Sequence, residues 1–202
     1  MLELLQRIAD HTSEENTYIG SGIVRRLQAQ FSSLPADAPI RRQWEIHMQL
    51  AQAQLNLGKE TEAIDRFTKA LELITQPKFK APSVAINGTH FRLGVAYMRL
   101  GETQNCCLKN TADSCILPLR DSAIHTQQTP SRKAIKHFTE ILQNTVERDF
   151  FHLQARWLLN LAYMTIGAYP EQVPKPYLIP SKAFESEENI PRFTNIAPSL
   201  GL

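Results

Sequence analysis

From Trp44 to Ile74 the chain reads WEIHMQLAQAQLNLGKETEAIDRFTKALELI, with apolar residues recurring three and four places apart on either side of a Gly-Lys-Glu break. That spacing predicts two amphipathic α-helices joined by a tight turn. Leu50 and Ala51 fall on the inner face of the first helix, and Gly58 closes it. Ala63, Phe67 and Ala70 fall on the inner face of the second. Small residues stand where the helices approach closest, and a large one fills the remaining hole.

The pattern returns downstream. Leu93, Gly94, Tyr97 and Gly101 keep the spacing of a first helix, as do Leu159, Asn160, Tyr163 and Gly167. Laid on a 34-residue tetratricopeptide (TPR) template, the three segments predict an all-α, right-handed TPR-like solenoid of about two and a half repeats. The second repeat is interrupted. Ala134, Phe138 and Ile141 keep the spacing of Ala63, Phe67 and Ala70, but Gly101 precedes Ala134 by 33 residues where Gly58 precedes Ala63 by five. The difference of 28 residues is an insertion, at about residues 103–130.

The third repeat has no second helix. YPEQVPKPYLIP holds four prolines in 12 residues and predicts an extended, proline-rich strap over the last helix. Residues 1–168 therefore form the helical domain, and residues 169–202 a tail or linker. Two further helices, at about Leu2–Ala9 and Tyr18–Leu34, precede the first repeat. PADAPIRR and TQPKFKAPS read as loops.

All three cysteines lie in the insertion. Cys106 and Cys115 flank a polar loop short enough for a disulfide, which would contribute on the order of 2–3 kcal/mol. Cys107 leaves one thiol over. Free buried thiols are a second reading. A metal site of Cys106, Cys107, Cys115 and His125 is a weaker third, since their spacing is not that of a zinc knuckle. A Cys115–His125 nucleophile pair is less favoured than structural cysteine and surface histidine. The acidic runs at Glu14 and Glu185 read as solvated loops. No nucleophile elbow, zinc-protease or nucleotide-binding motif occurs, so no catalytic residue and no cofactor is expected.

His47, His90 and Arg156 hold the fourth position of successive first helices. There they would stack as a polar ladder in a concave groove, or fill a packing position. Arg92, Asn160 and Tyr163 complete the groove candidates. Asn160 replaces a small residue, so its amide needs a partner if buried.

With 22 basic and 20 acidic residues the net charge is +2, and 43% of positions are hydrophobic. That composition fits a packed core, and neither nucleic acid nor an anionic membrane is expected as partner. No apolar run reaches the ~20 residues of a membrane span, and the amino terminus lacks the pattern of a signal peptide.

GETQNC, DSCILPL, His125, SRKAIKHF, WLLNLAYMTIGAYPEQVPKPYLIP and the closing PRFTNIAPSLGL together resemble the TPR-containing N-terminal region of certain bacterial proteins. Those proteins continue into FG-GAP/VCBS propeller repeats and an ASPIC/UnbV module. The resemblance runs from about Ile40 onward. It implies a periplasmic or extracellular protein, against a cytoplasmic alternative, in a chain trimmed ahead of its propeller. An exported location favours the Cys106–Cys115 disulfide. The expected function is a non-enzymatic scaffold for a peptide or protein partner, with its own downstream propeller as one candidate. The alternative is a redox- or metal-linked accessory protein using the Cys/His insertion.

Overall fold

A computed structural model describes residues 1–10, 20–109, 111, 113–185 and 194–201, with Ala9 and Asp10 as backbone only. The predicted helix start at Tyr18, the acidic run at Glu14 and most of that after Glu185 lie outside these residues, as does the PRF of the closing motif.

Among the described residues the chain is all-helical, without strands. Helix α1 is Leu2–Asp10, α2 Gly22–Ser32, α3 Ile40–Asn56, α4 Glu60–Ile74, α5 Ser83–Glu102, α6 Thr129–Gln143 and α7 Phe150–Thr165. Helices α3 and α5 begin earlier than the periodicity suggests. Pro39 and Pro82 stand immediately before them, with the extended backbone that launches a helix, so the arginines of PADAPIRR are already helical. Asp149 caps α7 by accepting a 2.7 Å hydrogen bond from the Phe151 N–H.

Two glycines end helices in the same way. Gly58 and Gly167 adopt φ of +69° and +66°. The N–H groups of Lys59 and Ala168 then reach back to the carbonyls of Gln54 and Tyr163, each at 3.0 Å. This satisfies carbonyls that a helix end otherwise leaves open.

Packing runs from neighbour to neighbour: α2 on α3, α3 on α4, α4 on α5, α5 on α6 and α6 on α7. One cluster joins Ala51, Ala63, Phe67 and Leu93, and another joins Ala134, Phe138, Ile141 and Leu159. Ala63, Phe67, Ala70, Ala134, Phe138 and Ile141 are all at 0% exposure. Gly94 is required by close approach, since a Cβ there would stand 2.5 Å from the Phe138 ring.

Residues 103–128 connect α5 to α6. They open with a π-helical turn, Thr103–Cys107, that continues α5 without a break, and include a 3-10 turn at Asp121–Ala123. Beyond α7 the proline-rich segment is not uniformly extended. Prolines favour the first position of a turn, and short 3-10 turns form at Lys175–Tyr177 and Ser181–Phe184.

Candidate functional site

A groove of about 630 Å³ opens between α2, α3, α5 and the start of α7. Ile23 and Leu27 of α2, Trp44 and Met48 of α3, Val84 and Ala85 of α5 and Phe151 of α7 line it. The Trp44 indole N–H donates to Thr89 Oγ1 at 3.1 Å, and that hydroxyl lies 2.8 Å from the Ala85 carbonyl, so α3 is tied to α5 beneath the groove. Arg92 lines the groove and donates to Gln52 Oε1.

Of the six predicted groove residues, Arg92 alone lines it. The others are spent inside the fold. His47 is 9% exposed and packs edge-on against Phe31 of α2, with ring centroids 5.0 Å apart and no partner on Nδ1. Burial lowers its pKa, and Arg66 and Lys69 lower it further. His90 turns toward α6, with its Nδ1 3.0 Å from His137 Nδ1. Burial lowers the pKa of both rings, that of His137 to about 4. The expected ladder is therefore absent: one register position meets a different neighbour in each helix.

Arg156 and Asn160 bind the chain itself. Arg156 donates from Nε to the Tyr177 carbonyl at 3.2 Å and from Nη2 to the Leu178 carbonyl at 2.8 Å. Asn160 donates to the Tyr177 carbonyl at 2.9 Å and accepts from the Ile179 N–H at 3.0 Å. One side-chain amide thus pairs with peptide groups on either side of Leu178, which answers the need expected of a buried asparagine. The Tyr169 hydroxyl donates to the Ile179 carbonyl at 2.7 Å, and Trp157 packs on Phe184. Tyr163 joins the Phe138–Leu159 cluster, where burial raises the pKa of its phenol.

The expected Cys106–Cys115 disulfide is not formed, and all three cysteines are free thiols. Cys106 is carried by the π turn toward His125, its Sγ 3.5 Å from Nε2. Cys115 and Cys107 are exposed, and Cys115 sits in a turn at φ +65°. Among the described residues the thiol beside His125 is thus that of Cys106 rather than Cys115. Among the described residues no group of three or more His, Cys, Asp or Glu is placed to hold a metal ion.

Behind the imidazole runs a buried relay that sequence reasoning did not find. His125 Nδ1 lies 3.3 Å from Ser131 Oγ, which lies 2.8 Å from Thr165 Oγ1. The backbone N–H of His125 also donates to the Thr165 carbonyl at 2.8 Å. Asn105 pins the connection: its amide donates to the Gly101 and Gln127 carbonyls, and its oxygen accepts from the Gln127 N–H at 2.9 Å. No periodicity marks Ser131, Thr165 or Asn105. Their only signal is polarity at positions that turn out to be buried.

A pocket of about 140 Å³ flanks the pair, lined by Cys106, His125, Lys109, Ser114 and Ser122 among others. Burial raises the thiol pKa of Cys106, with Cys115, Glu102 and Cys107 adding to the effect, and burial lowers the pKa of His125. Both groups rest neutral near pH 7, which is the opposite of an activated thiolate–imidazolium pair.

Among the described residues no helix is long and apolar enough to cross a membrane. No protein-family model, curated protein or solved structure matches the chain.

Proposed function

We propose that the chain is a non-enzymatic scaffold, a TPR-like solenoid whose open groove takes a peptide or protein partner. The groove between α2, α3 and α5 carries this reading: its walls are mainly apolar, and Arg92 and Gln52 supply polar groups along it. Neighbour-to-neighbour packing and the twice-used glycine end support the solenoid form. The strap reading rests on Arg156 and Asn160, which hold the chain after α7 against the solenoid end and leave the groove near α2 open to a partner. The resemblance to propeller-bearing exported proteins extends the proposal to a periplasmic or extracellular setting, with a downstream propeller as one partner.

The test is a randomised 12-residue peptide display library, with selected peptides titrated while the fluorescence of Trp44 is followed in a Trp157→Phe background. Ala85→Arg should weaken their binding at least tenfold and leave the melting temperature unchanged. A library yielding no binder sensitive to Ala85→Arg would overturn the proposal.

A further inference from the structure

The connection between α5 and α6 holds chemistry for which a scaffold has no use. We propose that Cys106 Sγ and His125 Nε2 are the two protein donors of a site for a soft monovalent cation, copper(I), with silver(I) as its laboratory stand-in.

The donor spacing comes close to that of a single metal ion. With bonds of about 2.3 Å to sulfur and 2.0 Å to nitrogen, two donors stand about 3.5–3.7 Å apart at 109–120° and about 4.3 Å apart in the linear shell of a two-donor monovalent ion. Sγ and Nε2 are 3.5 Å apart. Replacing the proton between them with the ion therefore opens the pair by about 0.8 Å.

The imidazole is aimed in advance. Ser131 holds Nδ1, Thr165 backs Ser131, and the three residues are 3%, 0% and 4% exposed in the order His125, Ser131, Thr165. Metal-binding histidines are oriented by such a partner on the second nitrogen. The ring also lies against helix α5 at Gly101, where a Cβ would stand 3.5 Å from Cε1 and Nδ1. Cys106 comes from the π turn, a rare element that concentrates at functional sites.

The donor set chooses the ion. Thiolate and imidazole suit soft and borderline metals, whereas magnesium and calcium want oxygen. Structural zinc closes its shell with four protein ligands, and no third His, Cys, Asp or Glu joins this pair among the described residues. A soft monovalent ion is content with fewer donors. Its single charge is cancelled by one thiolate, so a half-buried site is left neutral. The pocket beside the pair gives it a way in. Binding is a substitution without electron transfer: the S–H bond breaks, the S–metal bond forms, and one proton leaves to solvent for each ion bound.

The experiment removes the exposed thiols with Cys107→Ser and Cys115→Ser, then titrates silver(I), and copper(I) against bicinchoninate. One ion per chain is expected, with one proton released and a metal absorption spectrum showing one sulfur and one nitrogen neighbour. Further substitution of His125→Gln should weaken binding at least tenfold, and Ser131→Ala severalfold, with both donors retained in the latter. Equal affinity in the His125→Gln protein, a sulfur-only spectrum, or binding that survives Cys106→Ser would overturn the proposal. If His125→Gln fails to fold, the presence or absence of the nitrogen neighbour decides alone.

Discussion

The α3–α4 and α5–α6 hairpins begin from the same pattern and end as different objects. The first closes in a few residues around Gly58, whereas the second spends residues 103–128 on its connection. Both keep an alanine and a phenylalanine at zero exposure between their helices. The difference lies in the polar groups. In the first hairpin His47 Nδ1 and Gln54 Oε1 are buried without partners. In the second, His125 bonds Ser131 and through it Thr165 of α7, and Asn105 holds Gln127. Helix pairing thus depends on the small-and-large apolar pattern, and the connection is left free to carry chemistry.

The largest expected effect tests the part the hairpins share. Phe67→Ala and Phe138→Ala each remove a fully buried ring, and each should cost about 3–5 kcal/mol in urea unfolding. Equal losses would mean that the long connection leaves the helix pair as tightly packed as the short turn does. A loss under about 2 kcal/mol for Phe138→Ala alone would mean that the second hairpin yields around the gap.

Acid should separate the hairpins next. In the α5–α6 interface His90 and His137 hold their pKa values below the ordinary 6.5, His137 at about 4. Above about pH 7.5 these rings are neutral in both folded and unfolded chains, so they add no pH dependence. As pH falls from about 7.5 toward 4, the unfolded chain takes up protons that the folded chain refuses, and stability is lost. Lys133 and Lys136 on α6 oppose protonation of His137, and Lys136 that of His90, whereas Glu140 favours protonating His90. His137 alone should contribute a loss on the order of 2–3 kcal/mol by pH 4. His137→Gln should flatten most of that slope in a series of melts, leaving the smaller parts due to His90, His125 and His47. An unchanged slope would place the acid sensitivity outside this interface.

The helix pairs were legible because each rests on a local period. Ala63, Phe67 and Ala70 recur as Ala134, Phe138 and Ile141, and burial follows the pattern at both places. The sites were not, because their contacts depend on where non-periodic chain travels. His47 and His90 share a register position, yet one meets Phe31 and the other His137. The need of Asn160 for a partner was readable, but its partners at Tyr177 and Ile179 were not. Nor does residue spacing say that Cys106, rather than Cys115, faces His125, since that follows from the π turn that swings Sγ across.

The smallest effect is the sharpest on the comparison, because it predicts opposite signs for one substitution. Gly58 and Gly101 occupy the same place in the pattern. Gly58 sits at φ +69° with open space where a methyl group would stand, so its role is conformational, and Gly58→Ala should cost about 1 kcal/mol in left-handed strain. Gly101 is helical and buried, and an added Cβ would make ordinary contacts of 3.5 Å with His125 and Ser131. There the gain in helix propensity, up to about 1 kcal/mol, meets little steric opposition, so Gly101→Ala should be neutral to stabilising. Parallel thermal melts of the two variants check both signs. A loss in both would mean that the second glycine is kept for the close fit of the His125 ring, and that the connection constrains α5 more tightly than these contacts imply.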